Sequence, residues 1–356
     1  MEEILAYLEL YFIKGLGAVS IKRLIEHYSD ASNVLNADFN DLKENFGENI
    51  AKLITNRDFT LKEMALKELE KAEKLGVKII PISSSEYPFL LKNIPDPPSV
   101  IYVKGNFPIP ENTLAVVGSR KHSNYGVYIV NSIVRELAKS CVNIVSGMAL
   151  GIDTLAHKVA LEEGSFTTAV LGSGIDVIYP FENKKLYEMI LEKGCIISEF
   201  PFGTKPSSYT FPQRNRIIAG LSYGVFIVEA PDKSGSLITA NYANDYGRLV
   251  FTAPANINLS TAKGNNTLIK EGAVAITDFE DLKEFLPFLN PSISVDYLSD
   301  LKEEEKEVLM FLDAKKYYDE ILERFSEKYP DIDAILFNLQ LKNLIQSDSM
   351  FYYRVV

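Results

Sequence analysis

Seven short, almost purely apolar runs between residues 114 and 276 restrict what this chain can fold into more than any other feature. They are Leu114–Val117, Val142–Ser146, Thr167–Leu171, Cys195–Ser198, Val225–Glu229, Leu249–Thr252 and Val274–Ile276. A strand with one wet face alternates apolar and polar residues. These runs do not alternate, so both faces of each must be covered. Helix-length text separates them. In "VYIVNSIVRELAK", for example, Val130, Ile133, Val134 and Leu137 make one helical stripe. Strand and helix in alternation predict an α/β fold, a doubly wound parallel sheet. Ligands of such sheets bind where loops leave the carboxyl ends of the strands, near the point at which strand order reverses.

The flanks read differently. Residues 1–76 are expected as a small helical domain: "LELYFIKGLGAVSIKRLIEHY" places apolar residues at helical spacing on both sides of Gly15-Leu16-Gly17, and a helix near Leu61–Leu75 stops at Gly76. The "KGLG" turn is similar to a helix-hairpin-helix turn, whose N–H groups meet a phosphate, and equally to a plain turn in a helical bundle. Pro81, Pro88, Pro95, Pro97 and Pro98 then exclude regular helix and predict an irregular extension opening a 77–286 core. Residues 287–299, with Pro287 and Pro291, read as a linker. From 300 to 356, helices at Leu301–Leu312, Tyr317–Tyr329 and Asp333–Gln346 precede the β-like "MFYYRVV", which predicts a winged-helix-like module.

A net charge of −11 argues against a nucleic-acid partner only until its distribution is read. Residues 1–75 hold 10 cations and 14 acids, and residues 300–356 hold 8 and 13, so the middle is nearly balanced. Its loop cations are Arg120, Lys121, Lys184, Lys185, Lys205, Arg214 and Arg216. Tyr125, Tyr179, Phe181, Phe200, Phe202, Tyr209 and Phe211 lie among them. Cations for phosphates beside ring faces for unpaired bases make a single-strand-binding composition; Phe200 and Phe202 are also simple core candidates. Gly118 after the first strand, and Ser234-Gly235-Ser236 before a helix, predict backbone positions that a ligand can approach. The last helix of the tail carries only Lys342 beside Asp331 and Asp333, too little positive charge for a DNA groove. That module is expected to contact protein.

Catalytic signals are missing. His27, His122 and His157 have no metal-ligand spacing, and no nucleophile elbow or phosphate-loop signature occurs. Asp153, Asp176 and Glu199 are expected to cap helices or pair with arginines. Cys141 and Cys195 read as buried, reduced thiols of a cytoplasmic protein. No run is long and apolar enough for a membrane helix. Neither a cofactor nor a metal is expected.

The segments "VVGSR…YG", "VSGMALGIDTLAH", "VLGSGIDVIYP", "SEFPFGTKPSSYTFPQRNRIIAGLS", "EAPDKSGSLITANYANDYGR" and "GNNTLIKEGA" follow one another with characteristic spacing. In them the chain resembles the DNA-processing protein A family (DprA, also called Smf), over about residues 85–285. The resemblance implies an extended Rossmann-like domain without known catalysis that binds single-stranded DNA and dimerises. It also implies loading of the recombinase RecA onto that strand in natural transformation, and a helical N-terminal domain of the SAM or helix-hairpin-helix kind. Carried onto this chain, the family's DNA pocket uses the arginine of the "GSR" loop, Arg120, with Gly118 permitting close approach. Together with the loop cations and glycines read above, the expected DNA-binding set is Gly118, Ser119, Arg120 and Lys121; Phe181, Lys184 and Lys185; Arg214 and Arg216; and Ser234, Gly235 and Ser236. Leu150 and Phe181 stand where the family often has basic residues, and "PAN" at 254–256 departs from the family pattern. Two rival readings stay open: a nucleotide-processing enzyme of the phosphoribohydrolase type, and a duplex-specific transcription factor using the tail.

Overall fold

The computed structural model describes residues 2–58, 60–289, 301–312, 316–326, 328–342, 344–348 and 351–354. They fall into two compact units, Met1–Leu282 and Lys283–Val356.

The first unit is built on a nine-stranded sheet. Its strands are β1 (Lys78–Pro81), β2 (Val100–Gly105), β3 (Thr113–Val117), β4 (Asn143–Ser146), β5 (Thr167–Leu171), β6 (Cys195–Ser198), β7 (Gly224–Ile227), β8 (Leu249–Thr252) and β9 (Val274–Ala275). Their order in space is β1-β2-β6-β5-β4-β3-β7-β8-β9. From β6 to β9 every pairing is parallel. Every residue of β3, β4, β5, β6 and β7 is buried, as strands sandwiched between helices must be. The chain runs from β3 outward to β6, then returns to place β7 on the other side of β3. Strand order therefore reverses at β3, and the loops after β3 and β7 flank the crevice where such sheets hold ligands.

The proline-dense extension is more regular than its composition suggests. β1 and β2 pair with each other, and β2 pairs with β6, all antiparallel. Proline breaks helices but is tolerated on an edge strand, where no partner needs its missing N–H. Pro81 ends the edge strand β1, and the other four prolines lie in the connection to β2.

Helices Glu2–Phe12, Ala18–Tyr28 and Thr60–Leu75 do not stand apart as a domain ending at residue 76. Leu8, Leu10 and Leu24 belong to the same buried cluster as Ile79, Ile101 and Ile197. Polar ties reinforce the packing. Glu68 accepts hydrogen bonds from the Tyr102 hydroxyl (2.9 Å) and the Phe202 amide (3.2 Å), and Lys71 pairs with Asp176 at 2.8 Å. Cys195 is buried as expected, but Cys141 is exposed: it follows a helix end with a φ of 57°, in a turn before β4 and outside it.

In the second unit, helices Glu303–Phe311, Tyr318–Phe325 and Ile332–Leu341 pack around Leu309, Ile321, Leu336 and Leu339. An antiparallel sheet of β10 (Lys316–Tyr317), β11 (Ile345–Asp348) and β12 (Phe351–Arg354) accompanies them in the order β10-β12-β11. The third helix stops at Leu341, so residues expected at its end form β11. Most of the expected linker, residues 290–299, lies outside the described residues. Among the described residues no helix is long and apolar enough to cross a membrane.

Candidate nucleic-acid interface

Beyond the carboxyl ends of β3 and β7 lies a cleft of about 490 Å³, lined by Gly118, Ser119, Arg120, Lys121, Lys233, Ser234, Gly235 and Ser236, with Asp153 and Arg214 among its other walls. The residues after β3 form a tight turn. The Ser119 amide donates to the Glu229 carbonyl at 2.7 Å, and the Ser119 hydroxyl accepts from the Lys121 amide (3.1 Å) and donates to its carbonyl (2.9 Å). Ser123 then caps the next helix, Asn124–Ile129. A turn tied at both ends leaves Arg120, Lys121 and His122 exposed at its crown.

Arg120 pairs with no acid among the described residues. Its guanidinium carbon sits 5.2 Å from the centre of the Phe211 ring, within cation–π range. Phe211 opens the helix Thr210–Gly220 and is pressed against Gly172, where a Cβ would come within 2.8 Å of the ring. Tyr179 tilts toward Phe211 at 5.7 Å between centroids. Arg120, Leu150, Tyr179, Pro180 and Phe211 line a shallow recess of about 50 Å³ beside the cleft. Phe181, next to Pro180 of the recess, and Tyr209, two residues before Phe211, are 75% and 72% exposed. Tyr179 and Phe211 appeared in the sequence only as interleaved aromatics. Nothing local marked them as the pair that meets Arg120, because three separate strand ends supply the three residues.

Two arginines of the expected DNA-binding set are buried on internal partners. Arg214 is buried, and its guanidinium donates to the carbonyls of Gly147 and Val170, at the ends of β4 and β5 (2.6 Å to Val170), while Nε reaches Asn215 at 3.0 Å. Burial pushes its pKa down to about 10, against the pull of Asp153. Arg216 is buried with Glu199 and the Asp96 carbonyl. Clustering in sequence suggested a shared anion. Two residues apart on one helix, the side chains leave on nearly opposite faces and reach separate internal partners, Arg214 the ends of β4 and β5 and Arg216 Glu199 after β6 and Asp96 before β2.

Gly118 also differs from its expected role. A Cβ there would come within 2.7 Å of Ile152, so it is the chain's own helix Ile152–Glu162 that needs the close approach. The N-terminus of that helix is already filled. The Ile152 amide donates to the Ser119 carbonyl at 3.1 Å, and the buried Asp153 carboxylate accepts from the Ala149 amide at 3.3 Å. Burial raises the pKa of Asp153, opposed by Arg214 and by the backbone amides of Ala149, Gly118 and Gly147. Gly235 has nothing of the protein within 4 Å of its missing Cβ, so at that helix start the open side faces the cleft. Ser234 caps the helix Gly235–Asp245 through the Ser236 amide.

Phe181, Lys184 and Lys185 do not line the cleft. Phe181 directly follows Pro180 of the recess and opens a short turn, Phe181–Asn183. Asn183 anchors that turn through the Met148 carbonyl and Thr154 hydroxyl, each at 2.8 Å. Lys184 and Lys185 are exposed in the first turn of the helix Lys184–Lys193, where the helix dipole favours acids. Lysines held at the disfavoured end suit an external anion. Of the three acids, Asp176 pairs with Lys71 rather than an arginine, and Glu199 pairs with Arg216. His157 is buried, hydrogen-bonded to Thr167 at 2.7 Å, and burial pushes its pKa down to about 3. Among the described residues no cluster of side chains is arranged to hold a metal.

An open α/β sheet with a cationic, aromatic-edged crevice at its switch point places the chain in the Rossmann-like class of folds. The particular family follows from comparison. Residues 78–287 match the family described as DNA recombination-mediator protein A, and the chain belongs to it. It is 40% identical over 271 residues to Protein Smf of Synechocystis, covering 74% of this chain and 68% of that protein. It is 42% identical over 217 residues to the DNA processing protein DprA of Bacillus subtilis, covering 60% and 73%. Its fold is similar to the X-ray structure of DprA from Streptococcus pneumoniae, with a TM-score of 0.58 and 35% identity, over 75% of this chain and 98% of that one. DNA processing protein A of Helicobacter pylori, whose structure addresses a single-stranded DNA binding mode, matches with a TM-score of 0.52 and 30% identity, over 61% and 96%.

Proposed function

We propose that this protein binds single-stranded DNA, with little sequence preference, along the carboxyl edge of its sheet. The observation that carries the reading is Arg120: exposed, without an acidic partner among the described residues, and set against Phe211 beside exposed aromatics. Phosphates meet Arg120, Lys121, Lys184, Lys185 and the Ser234–Ser236 helix start. Unpaired bases meet Tyr179, Phe181, Tyr209 and Phe211, since a ring face accepts any base. Phe181 thus supplies stacking where its relatives often supply charge. Membership of a recombination-mediator family supports the next steps of the reading: the bound strand is handed to the recombinase RecA in transformation and recombination, a homodimer does so through the sheet domain, and the protein works in the cytoplasm without being an enzyme.

A phosphoribohydrolase reading has less support. Its chemistry needs an acid free to act, and Asp153, the acid in the cleft, is buried and hydrogen-bonded to backbone. Release of free base from AMP or CMP would restore it. The binding reading is tested by gel shift of a labelled single strand against unlabelled single-stranded and duplex competitors. Single strands are expected to compete far better; equal competition by duplex contradicts the proposal.

A further inference from the structure

We infer that Glu229 is a positioning residue for DNA binding, acting through Arg120; the inference rests on the single-strand reading above. Glu229 follows β7 at the switch point and is fully buried. It grips the turn after β3 at both ends. Its carbonyl accepts from the Ser119 amide at 2.7 Å, before Arg120, and its carboxylate Oε2 accepts from the Ser123 amide at 2.8 Å, after His122. One residue thereby clamps a five-residue loop whose crown carries the exposed cations.

Two further observations favour a clamp over ordinary core packing. The second carboxylate oxygen, Oε1, is buried without a hydrogen-bond partner among the described residues. A buried carboxylate with one oxygen unmatched by the protein is costly to keep, so its retention is better explained by the loop it holds than by packing. Gly126, in the helix that Ser123 caps, has no room for a side chain: a Cβ there would run into Oε2. The neighbouring helix thus makes space for the carboxylate at the cost of a glycine in its interior. Arg120 gains from the clamp because a guanidinium on a fixed loop loses less freedom on meeting a phosphate.

The test is a double-mutant cycle on the full-length protein, reading affinity for a fluorescent oligo(dT) at several salt concentrations beside thermal melting. Glu229→Ala is expected to weaken binding by about tenfold, the scale of one charge-assisted hydrogen bond. Its salt slope should flatten as that of Arg120→Ala does. Glu229→Gln, which keeps an acceptor for the Ser123 amide, should restore most of the affinity. In an Arg120→Ala background, Glu229→Ala should add little. Should Glu229→Ala fail to fold, Gly126→Ala displaces the same carboxylate by steric contact and is expected to give the same loss. A Glu229 or Gly126 effect that persists undiminished beside Arg120→Ala overturns the inference while leaving the single-strand reading intact. Lack of oligo(dT) binding by the unsubstituted protein overturns both.

Discussion

Arg120, Arg214 and Arg216 carry the same charge and end in three different roles, and burial with partners decides which. Arg120 is exposed and unpaired with any acid among the described residues, so if it meets a phosphate as proposed, Arg120→Ala removes that contact without disturbing the interior. Affinity for all sequences should fall about equally, the salt slope should become shallower by roughly 0.7, and the melting temperature should hardly move. Melting and binding at three salt concentrations on one preparation separate this from a structural role, which would lower melting and leave the slope unchanged. Arg214→Ala should do the reverse. It strips the Gly147 and Val170 carbonyls of their donor and opens a cavity, for a loss of about 3 kcal/mol in urea unfolding. His157 adds a pH dependence. Its pKa is pushed from 6.5 to about 3 by burial, so the unfolded chain takes up the proton first as pH falls. Folded-state stability is whole above pH 6.5 and is lost from there down toward 3, at about 1.4 kcal/mol per pH unit from this group. His157→Gln removes that contribution, so between pH 6 and 4 its stability should fall less steeply than that of the unsubstituted protein; parallel curves would contradict the assignment.

At the scale of elements, hydrophobic pattern located the strands well because parallel strands have no wet face. All seven apolar runs became β3 to β9 within a residue or two, and the loops after β3 and β7 line much of the cleft. β1 and β2 escaped because proline speaks about helices and says little about an edge. The same pattern could not distinguish Arg120 from Arg214, since burial depends on which strand ends meet, and those lie 44 and 67 residues from Arg214. Nor does sequence reveal that helix Thr60–Leu75 holds the loop after β6. Glu68→Ala should show this, since it leaves the Phe202 amide and the Tyr102 hydroxyl without their acceptor. A loss of about 1–3 kcal/mol in unfolding free energy is expected, with faster hydrogen exchange at residues 199–209. Unchanged exchange there would sever the helix from the loop.

For the whole molecule, the central claim is the proposal that a single strand lies along the carboxyl edge of the sheet, and that neither helices 2–75 nor the unit from Lys283 onward is needed to hold it. The sheet of the first unit and the core of the second each close on their own buried clusters. Removing residues 290–356 should therefore leave both the melting of the remaining chain and its oligo(dT) affinity close to those of the full protein. The most direct measurement is photo-cross-linking of a single strand carrying 5-iodouracil, followed by mass-spectrometric mapping of the attachment sites. Cross-links to Tyr179, Phe181, Tyr209 or Phe211, lost on competition with unlabelled single strand, are the predicted result; cross-links confined to residues 2–75 or 301–354 would contradict the account.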